Sequence, residues 1–175
     1  HYIQDTERGP TKSLTTDNRS GEFTSTSSQD FKSFDNDGFT LNANAWNSHV
    51  NVSSTYPNTQ YTSYNFRKCA NFFDVIIFTG DGATSKTLSH SLGVAPAWVL
   101  VKRRDDSSDW WMYHRKLNGG TNPHQYRISL SYENDEESAG NTWGNTAPTA
   151  TNFYVGGNDT NTSGATYVAY LWAHH

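Results

Sequence analysis

Cysteine is almost missing from this chain: its 175 residues hold one, Cys69, and a single methionine. One thiol forms no intramolecular disulfide, and zinc sites built on paired cysteines are excluded with it. Charge is sparse as well, at 17% of residues, with 13 basic against 17 acidic side chains and a formal net charge of -4. No basic stripe accompanies that balance, so nucleic acid is not expected as a partner. No apolar run approaches the roughly 18 residues of a membrane span, so no membrane insertion is expected. The opening residues do not read as a signal peptide. Aliphatic side chains are few, with 34% hydrophobic residues in all, and mean hydropathy is -0.79.

Aromatic and small polar residues fill the gap. Six Trp, ten Tyr and nine Phe make up 14% of the chain, while Ser, Thr and Asn together make up about a third. A few large rings must therefore supply the burial that many aliphatics provide elsewhere. Scarce leucine disfavours a helical bundle, and short strands joined by polar turns are favoured instead.

An internal repeat organises the chain. Gly38-Phe39-Thr40-Leu41 aligns with Asn152-Phe153-Tyr154-Val155, and Tyr61-Thr-Ser-Tyr64-Asn-Phe66 with Tyr167-Val-Ala-Tyr170-Leu-Trp172. Further back, His1-Tyr2-Ile3-Gln4 meets Trp111-Met112-Tyr113-His114. Residues 73–110 have no counterpart before His1. The expected organisation is an incomplete first β repeat over 1–69 and a complete second repeat over 70–173, with 174–175 read as the stub of an affinity tag. An incomplete first repeat would make the chain a piece of a longer array, or leave a sheet to be completed by a neighbour.

The strand reading follows the same units. Asp74 to Phe78 is a short apolar run ended by Gly80-Asp81-Gly82, and Ala97 to Val101 is continuously apolar, as in a central strand. Tyr126 to Tyr132 alternates, which places Tyr126, Ile128, Leu130 and Tyr132 on one face. Trp110 to Tyr113, Asn152 to Val155 and Tyr167 to Trp172 complete the second unit. Tyr2-Ile3, Lys12 to Leu14, Phe39 to Leu41, Val50 to Val52 and Tyr61 to Phe66 are the strands of the first. Trp98, Trp172, Tyr170, Phe153 and Phe39 fall in strand phase and read as core. The fold class is all-β: antiparallel β-sandwich or jelly-roll-like repeats with little or no helix.

Several strings are recognisable together. Phe73-Asp-Val-Ile-Ile-Phe-Thr-Gly80-Asp-Gly82, Ser89-His90-Ser91-Leu92-Gly93-Val94-Ala95-Pro96 and Val101-Lys-Arg-Arg-Asp105 lie in the second unit. Asn145-Thr-Ala-Pro148-Thr and Ser163-Gly-Ala-Thr-Tyr167-Val-Ala-Tyr170 follow, and Phe34-Asp-Asn-Asp-Gly-Phe39 lies in the first. This set resembles a family of tandem repeats in tail-fibre and other structural proteins of marine, especially cyanobacterial, bacteriophages. The resemblance implies a virion location, repetition, a β-sandwich fold and other virion subunits as partners. It supplies no catalytic residue. Fibre proteins are commonly trimeric, so a homo-oligomer, with three copies the guess, is expected.

Chemistry-bearing motifs weigh against an enzyme. Gly80-Asp81-Gly82 lacks the Gly-Lys-Ser/Thr of a phosphate loop and reads as a turn. Asp35-Asn36-Asp37-Gly38 resembles the front of a calcium loop, but Asn44 stands where a bidentate Glu is required, and a hairpin turn fits better. His90, His114 and His124 lack metal-ligand spacing, and His90 reads as a loop brace. The acidic turns Asp105-Asp106-Asp109 and Glu133-Asp135-Glu136-Glu137 are ordinary solvated charge unless they face each other across a cleft, as a glycan depolymerase requires. No cofactor and no metal is expected.

The binding signal is in the loops. Trp46 and Asn47, Tyr56 and Asn58 lie in stretches rich in Asn and Ser, and the second unit places Asn158 and Asp159 in the matching region. A flat ring flanked by amides and hydroxyls suits a sugar, whose C–H face stacks while its hydroxyls bond. Trp46 folded back on its own sheet, or packed on a neighbouring subunit, is the alternative. The expected function is a non-enzymatic structural or adhesive module of a phage tail fibre or spike that binds bacterial surface glycan. A capsid decoration protein without a host ligand and a glycan depolymerase are the alternatives.

Overall fold

The computed structural model describes residues 2–24, 31–42 and 60–174. It divides the chain into two compact units, His1–Asn65 and Phe66–His175. Thirteen strands, one single-turn α-helix and two 3-10 turns are present among the described residues, and every paired strand runs antiparallel to its neighbour. The fold is all-β and sandwich-like.

The first unit is slight. Strands β1 (Tyr2–Ile3), β2 (Lys12–Thr15) and β3 (Phe23–Thr24) form one sheet with β2 in the centre. Leu14 is fully buried there, and the Arg8 side chain closes the β1–β2 connection. Arg8 donates from Nε to Asp5 at 2.5 Å and from Nη2 to the Ile3 carbonyl at 2.9 Å. A buried guanidinium with several acceptors does the work that apolar residues would do in a richer chain. Strands β4 (Phe31–Phe34) and β5 (Phe39–Leu41) form a separate hairpin. Its Asp35-to-Gly38 turn is closed by the Asp35 N–H on the Gly38 carbonyl at 2.9 Å, and Ser33 and Thr40 hydroxyls donate to the Asp35 carboxylate. The expected strand Val50 to Val52 lies outside the described residues.

In the second unit the strands are β6 (Phe73–Thr79), β7 (Lys86–Ser89), β8 (Trp98–Arg103), β9 (Trp110–His114), β10 (Tyr126–Ser129), β11 (Glu137–Ser138), β12 (Asn152–Val155) and β13 (Thr166–Trp172). Six of them form a sheet in the order β11-β10-β9-β8-β13-β6. Strands β7 and β12 form a second layer, and α1 (Gly157–Thr160) follows β12. Side chains alternate along each strand, so Tyr167, Ala169 and Leu171 of β13 share a face with Val99, Val101, Trp111 and Tyr113. That face packs on Phe153 and Val155 of β12, and Trp143 and Leu92 close the layer. The opposite face carries a row of rings in direct register. Trp172 lies opposite Phe73 on one side and Trp98 on the other, with centroids 5.0 and 4.2 Å apart. Such cross-strand aromatic pairs add to sheet stability beyond the area they bury.

Some sequence expectations differ from this arrangement. Strand β10 ends at Ser129, so the expected strand from Tyr126 to Tyr132 is cut short: Ser129 is buried, whereas Leu130 and Tyr132 lie beyond its end and are exposed. The Leu130 N–H still donates to the Trp110 carbonyl at 3.0 Å, but the Trp110 N–H goes to Ser131 Oγ and the Ser131 N–H to Ser129 Oγ, so serine hydroxyls take over as the ladder ends. Residues 61–66 form no strand and are all exposed, although β13, their aligned counterpart, is bonded on both sides. Likewise β5 pairs with the preceding β4, while β12 pairs with the distant β7. The stretch 66–69 belongs to the second unit, since Cys69 bridges to Phe73 and Lys68 Nζ lies 3.0 Å from Asp74. Trp98, Trp172 and Phe39 are half-buried rather than fully enclosed, while Tyr170 and Phe153 are core.

Two glycines set how closely the loops approach one another. A Cβ on Gly80 would lie 2.1 Å from the Thr162 carbonyl oxygen, and one on Gly156 would lie 2.0 Å from that of Thr84. Both obstacles are backbone, which cannot swing aside as a side chain would. Gly80→Ala and Gly156→Ala are each expected to destabilise the chain by about 3 kcal/mol, the upper end of an overpacking cost, measured by urea unfolding.

Candidate functional site

One end of the second unit is built around two polar knots. In the first, Asn161 Nδ2 donates to Asp81 Oδ1 at 2.7 Å and to the Ala83 carbonyl at 2.9 Å, while Asn161 Oδ1 accepts the Asp81 N–H. Lys86 Nζ completes the set on Asp81 Oδ2 at 3.0 Å. The Ala83 N–H, then Asn161 and Lys86, hold the Asp81 carboxyl down at about 2. Gly80-Asp81-Gly82 is therefore a locked irregular segment that ends β6.

The second knot centres on Arg127 of β10. Its guanidinium lies over the Trp111 ring, 3.7 Å from the centroid. It donates from Nε to Glu137 at 3.0 Å and from Nη1 to Thr142 Oγ1 at 2.7 Å and to Asp159. Asp159 is thus the carboxylate that ties α1 to β10, and Asn158 beside it is exposed, its carbonyl accepting the Thr162 hydroxyl at 2.6 Å. Of the expected ligand-binding residues these two, neighbours in α1, are the ones described. Trp46, Asn47, Tyr56 and Asn58 lie outside the described residues.

Candidate catalytic groups are engaged in structural bonds. His90 Nδ1 accepts the Leu92 N–H at 3.2 Å, and Nε2 lies 3.2 Å from the Thr149 carbonyl. Both ring nitrogens are used on backbone, so this histidine braces a loop, although Ser91 and Asp74 stand beside it. Burial pushes the Asp74 carboxyl up, but the Ser91 N–H and hydroxyl and Lys68 outweigh it and hold it below its usual range. Asp105 pairs with Arg103 at 2.9 Å and accepts the Thr166 N–H, and Glu136 accepts the Asn118 N–H at 2.7 Å. Among the described residues no three His, Cys, Asp or Glu side chains stand close enough to share a metal ion. A cavity of about 10 Å³, room for roughly one water, lies between Val99, Tyr113, Trp143, Pro148 and Phe153.

Exposed rings are the feature that sequence reading missed. Every residue from Gln60 to Phe72 is exposed, and Tyr61, Tyr64, Phe66 and Phe72 stand among them. Phe66 lies 6.2 Å from Phe72 and meets Trp172 edge-on at 5.8 Å, so exposed rings continue into the half-buried row on the sheet. The aromatic spacing of Tyr61, Tyr64 and Phe66 was legible, but it reads as a buried strand when no partner is known.

Two outcomes follow from these geometries. Arg127→Met is expected to cost about 2 kcal/mol in urea unfolding, less than a fully buried pair because Glu137 and Asp159 retain solvent. The second concerns acid. Burial, partly offset by the Thr149 carbonyl and Asp74, holds the His90 imidazole below its ordinary 6.5, so the folded chain favours the neutral ring. That contribution is complete above the unfolded value and is lost as pH falls through the lower folded value. Stability should therefore decline on acidification below about 6.5, and His90→Gln should flatten the decline measured by thermal melts across pH.

No curated protein and no solved structure matches the chain. Its whole length, residues 1–175, matches the family described as Domain of unknown function (DUF7483), and the chain belongs to that family.

Proposed function

We propose that this chain is a non-enzymatic structural and adhesive module of a phage virion, part of a tail fibre or spike, that contacts bacterial surface glycan and neighbouring virion subunits. The observation that carries this reading is the exposed aromatic stretch from Gln60 to Phe72, interleaved with Thr62, Ser63 and Asn65. Rings presented beside amides and hydroxyls are the equipment for stacking on a sugar face and bonding its hydroxyls. Trp46, Asn47, Tyr56 and Asn58 extend the same composition, and exposed Asn158 adds an amide on the second unit. The engagement of Asp74, Asp81, Asp105 and Arg127 in structural bonds favours a scaffold over a catalyst. The resemblance to tail-fibre repeats supports the virion setting.

The test is binding of the purified chain to bacterial envelopes and a glycan array, with a Trp46→Ala, Tyr56→Ala variant in parallel. Saturable binding is expected. Two stacked rings at about 1 kcal/mol each make the variant roughly 30-fold weaker. Release of reducing sugar from the glycan would replace this reading with a depolymerase. Attachment to capsids without affinity for envelopes would replace it with a decoration protein.

A further inference from the structure

We propose that copies of this chain join head to tail by strand addition, residues 61–66 of one copy pairing with the open edge of β6 in the next. This goes beyond the glycan reading and does not depend on it.

Strand β6 is the outermost strand of the six-stranded sheet. Its inner bonds to β13 come from even-numbered positions, since on the same ladder Gly80 N donates to the Ala165 carbonyl and Ala173 N to the Phe72 carbonyl. Odd-numbered backbone groups point outward. The first of these are closed within the chain. Phe73 exchanges both backbone bonds with Cys69, at 2.9 and 3.1 Å. The Val75 N–H donates to Asp74 Oδ1 at 2.8 Å, and the Val75 carbonyl accepts Lys68 Nζ at 3.3 Å. At Ile77 and Thr79 the outward N–H and C=O groups have no partner among the described residues. The Ile77 side chain is also 44% exposed. Such an edge is a template for extended backbone from another chain.

The chain carries a segment of strand-forming composition that is in no sheet. Tyr61-Thr-Ser-Tyr64-Asn-Phe66 contains strand-forming residues and no Gly or Pro, yet none of the six is in a strand, and Tyr64 is 82% exposed. Its aromatic spacing matches Tyr167, Tyr170 and Trp172 of β13, the strand that already pairs with β6 from the other side. In extended form Thr62 and Tyr64 share a face, so Tyr64 can cover Ile77 as an aromatic–β-branched cross-strand pair. A second copy must supply the donor. Antiparallel pairing of the chain's own segment, continued back from the Cys69–Phe73 bridge, would have to pass Val75 before Ile77, and the outward groups of Val75 are already closed by Asp74 and Lys68. Donor and acceptor are different surfaces, and a contact of that kind propagates into a ring or a filament.

The experiment is the mass of the full chain in solution over a dilution series, by sedimentation equilibrium. The unsubstituted chain is expected to gain mass with concentration. Ile77→Pro removes an outward N–H and leaves the bonds to β13, so it blocks the acceptor edge. Tyr64→Pro breaks the donor, which has no strand pairing to lose. Each variant alone should remain monomeric. Their equimolar mixture should form a 1:1 complex and stop, because one intact donor and one intact edge remain. An unsubstituted chain that is monomeric at every concentration, which includes the segment closing on its own edge, overturns the proposal. So does a Tyr64→Pro chain that assembles as before, or a mixture that remains monomeric. Should thermal melts show Ile77→Pro unfolded, Ile77→Lys takes its place, a charge at the same exposed edge position. The measurement needs no glycan, so it stands apart from the binding result.

Discussion

Strand β13 is the element on which the second unit depends. It bonds along its length to β6 on one side and β8 on the other, and five consecutive residues, Tyr167 to Leu171, are buried. A strand enclosed on both faces and both edges must be apolar throughout, and few stretches of this polar chain qualify. The sheet therefore assembles around a long segment able to occupy its middle. Its rings do most of the filling: Tyr167 stacks on Phe78 in one layer, and Trp172 joins Phe73 and Trp98 in the other.

Around that centre, polar side chains take over the work that aliphatics do elsewhere. Asn161 and Asp81 hold the β6 exit against α1, and Arg127 joins β10, β11 and α1 while lying flat on Trp111. These bonds are directional, so they fix loop positions in a way that apolar contact would not. The cost is that charged groups in the loops are largely occupied. Asp159 illustrates this: its loop position suggested an available carboxylate, but Arg127 claims it.

What remains available is aromatic and backbone. The exposed rings of Tyr61, Tyr64 and Phe66 and the outward groups of Ile77 and Thr79 lie on opposite sides of the Cys69 bridge in sequence. Both are means of association: rings suit a sugar face or another side chain, and an unpaired edge suits a strand.

The sequence by itself determined the class of structure. Scarce leucine, abundant Ser, Thr and Asn, and short aromatic runs leave antiparallel strands as the way to bury enough surface, and short apolar and aromatic runs located β6, β8, β9, β12 and β13. His90 as a loop brace and Gly80-Asp81-Gly82 as the end of β6 were legible too, from residue type alone, although the partners that hold them, Thr149 and Asn161, are distant in sequence. Tertiary structure alone decided which similar segments pair. Residues 61–66 and β13 share aromatic spacing, yet one is exposed and the other central, because pairing depends on which sheet edge is within reach. It also decided that β10 stops at Ser129, where serine hydroxyls take over as the ladder ends, and that Asp159 serves Arg127. Those outcomes rest on contacts between residues distant in sequence, and a local pattern carries no information about them.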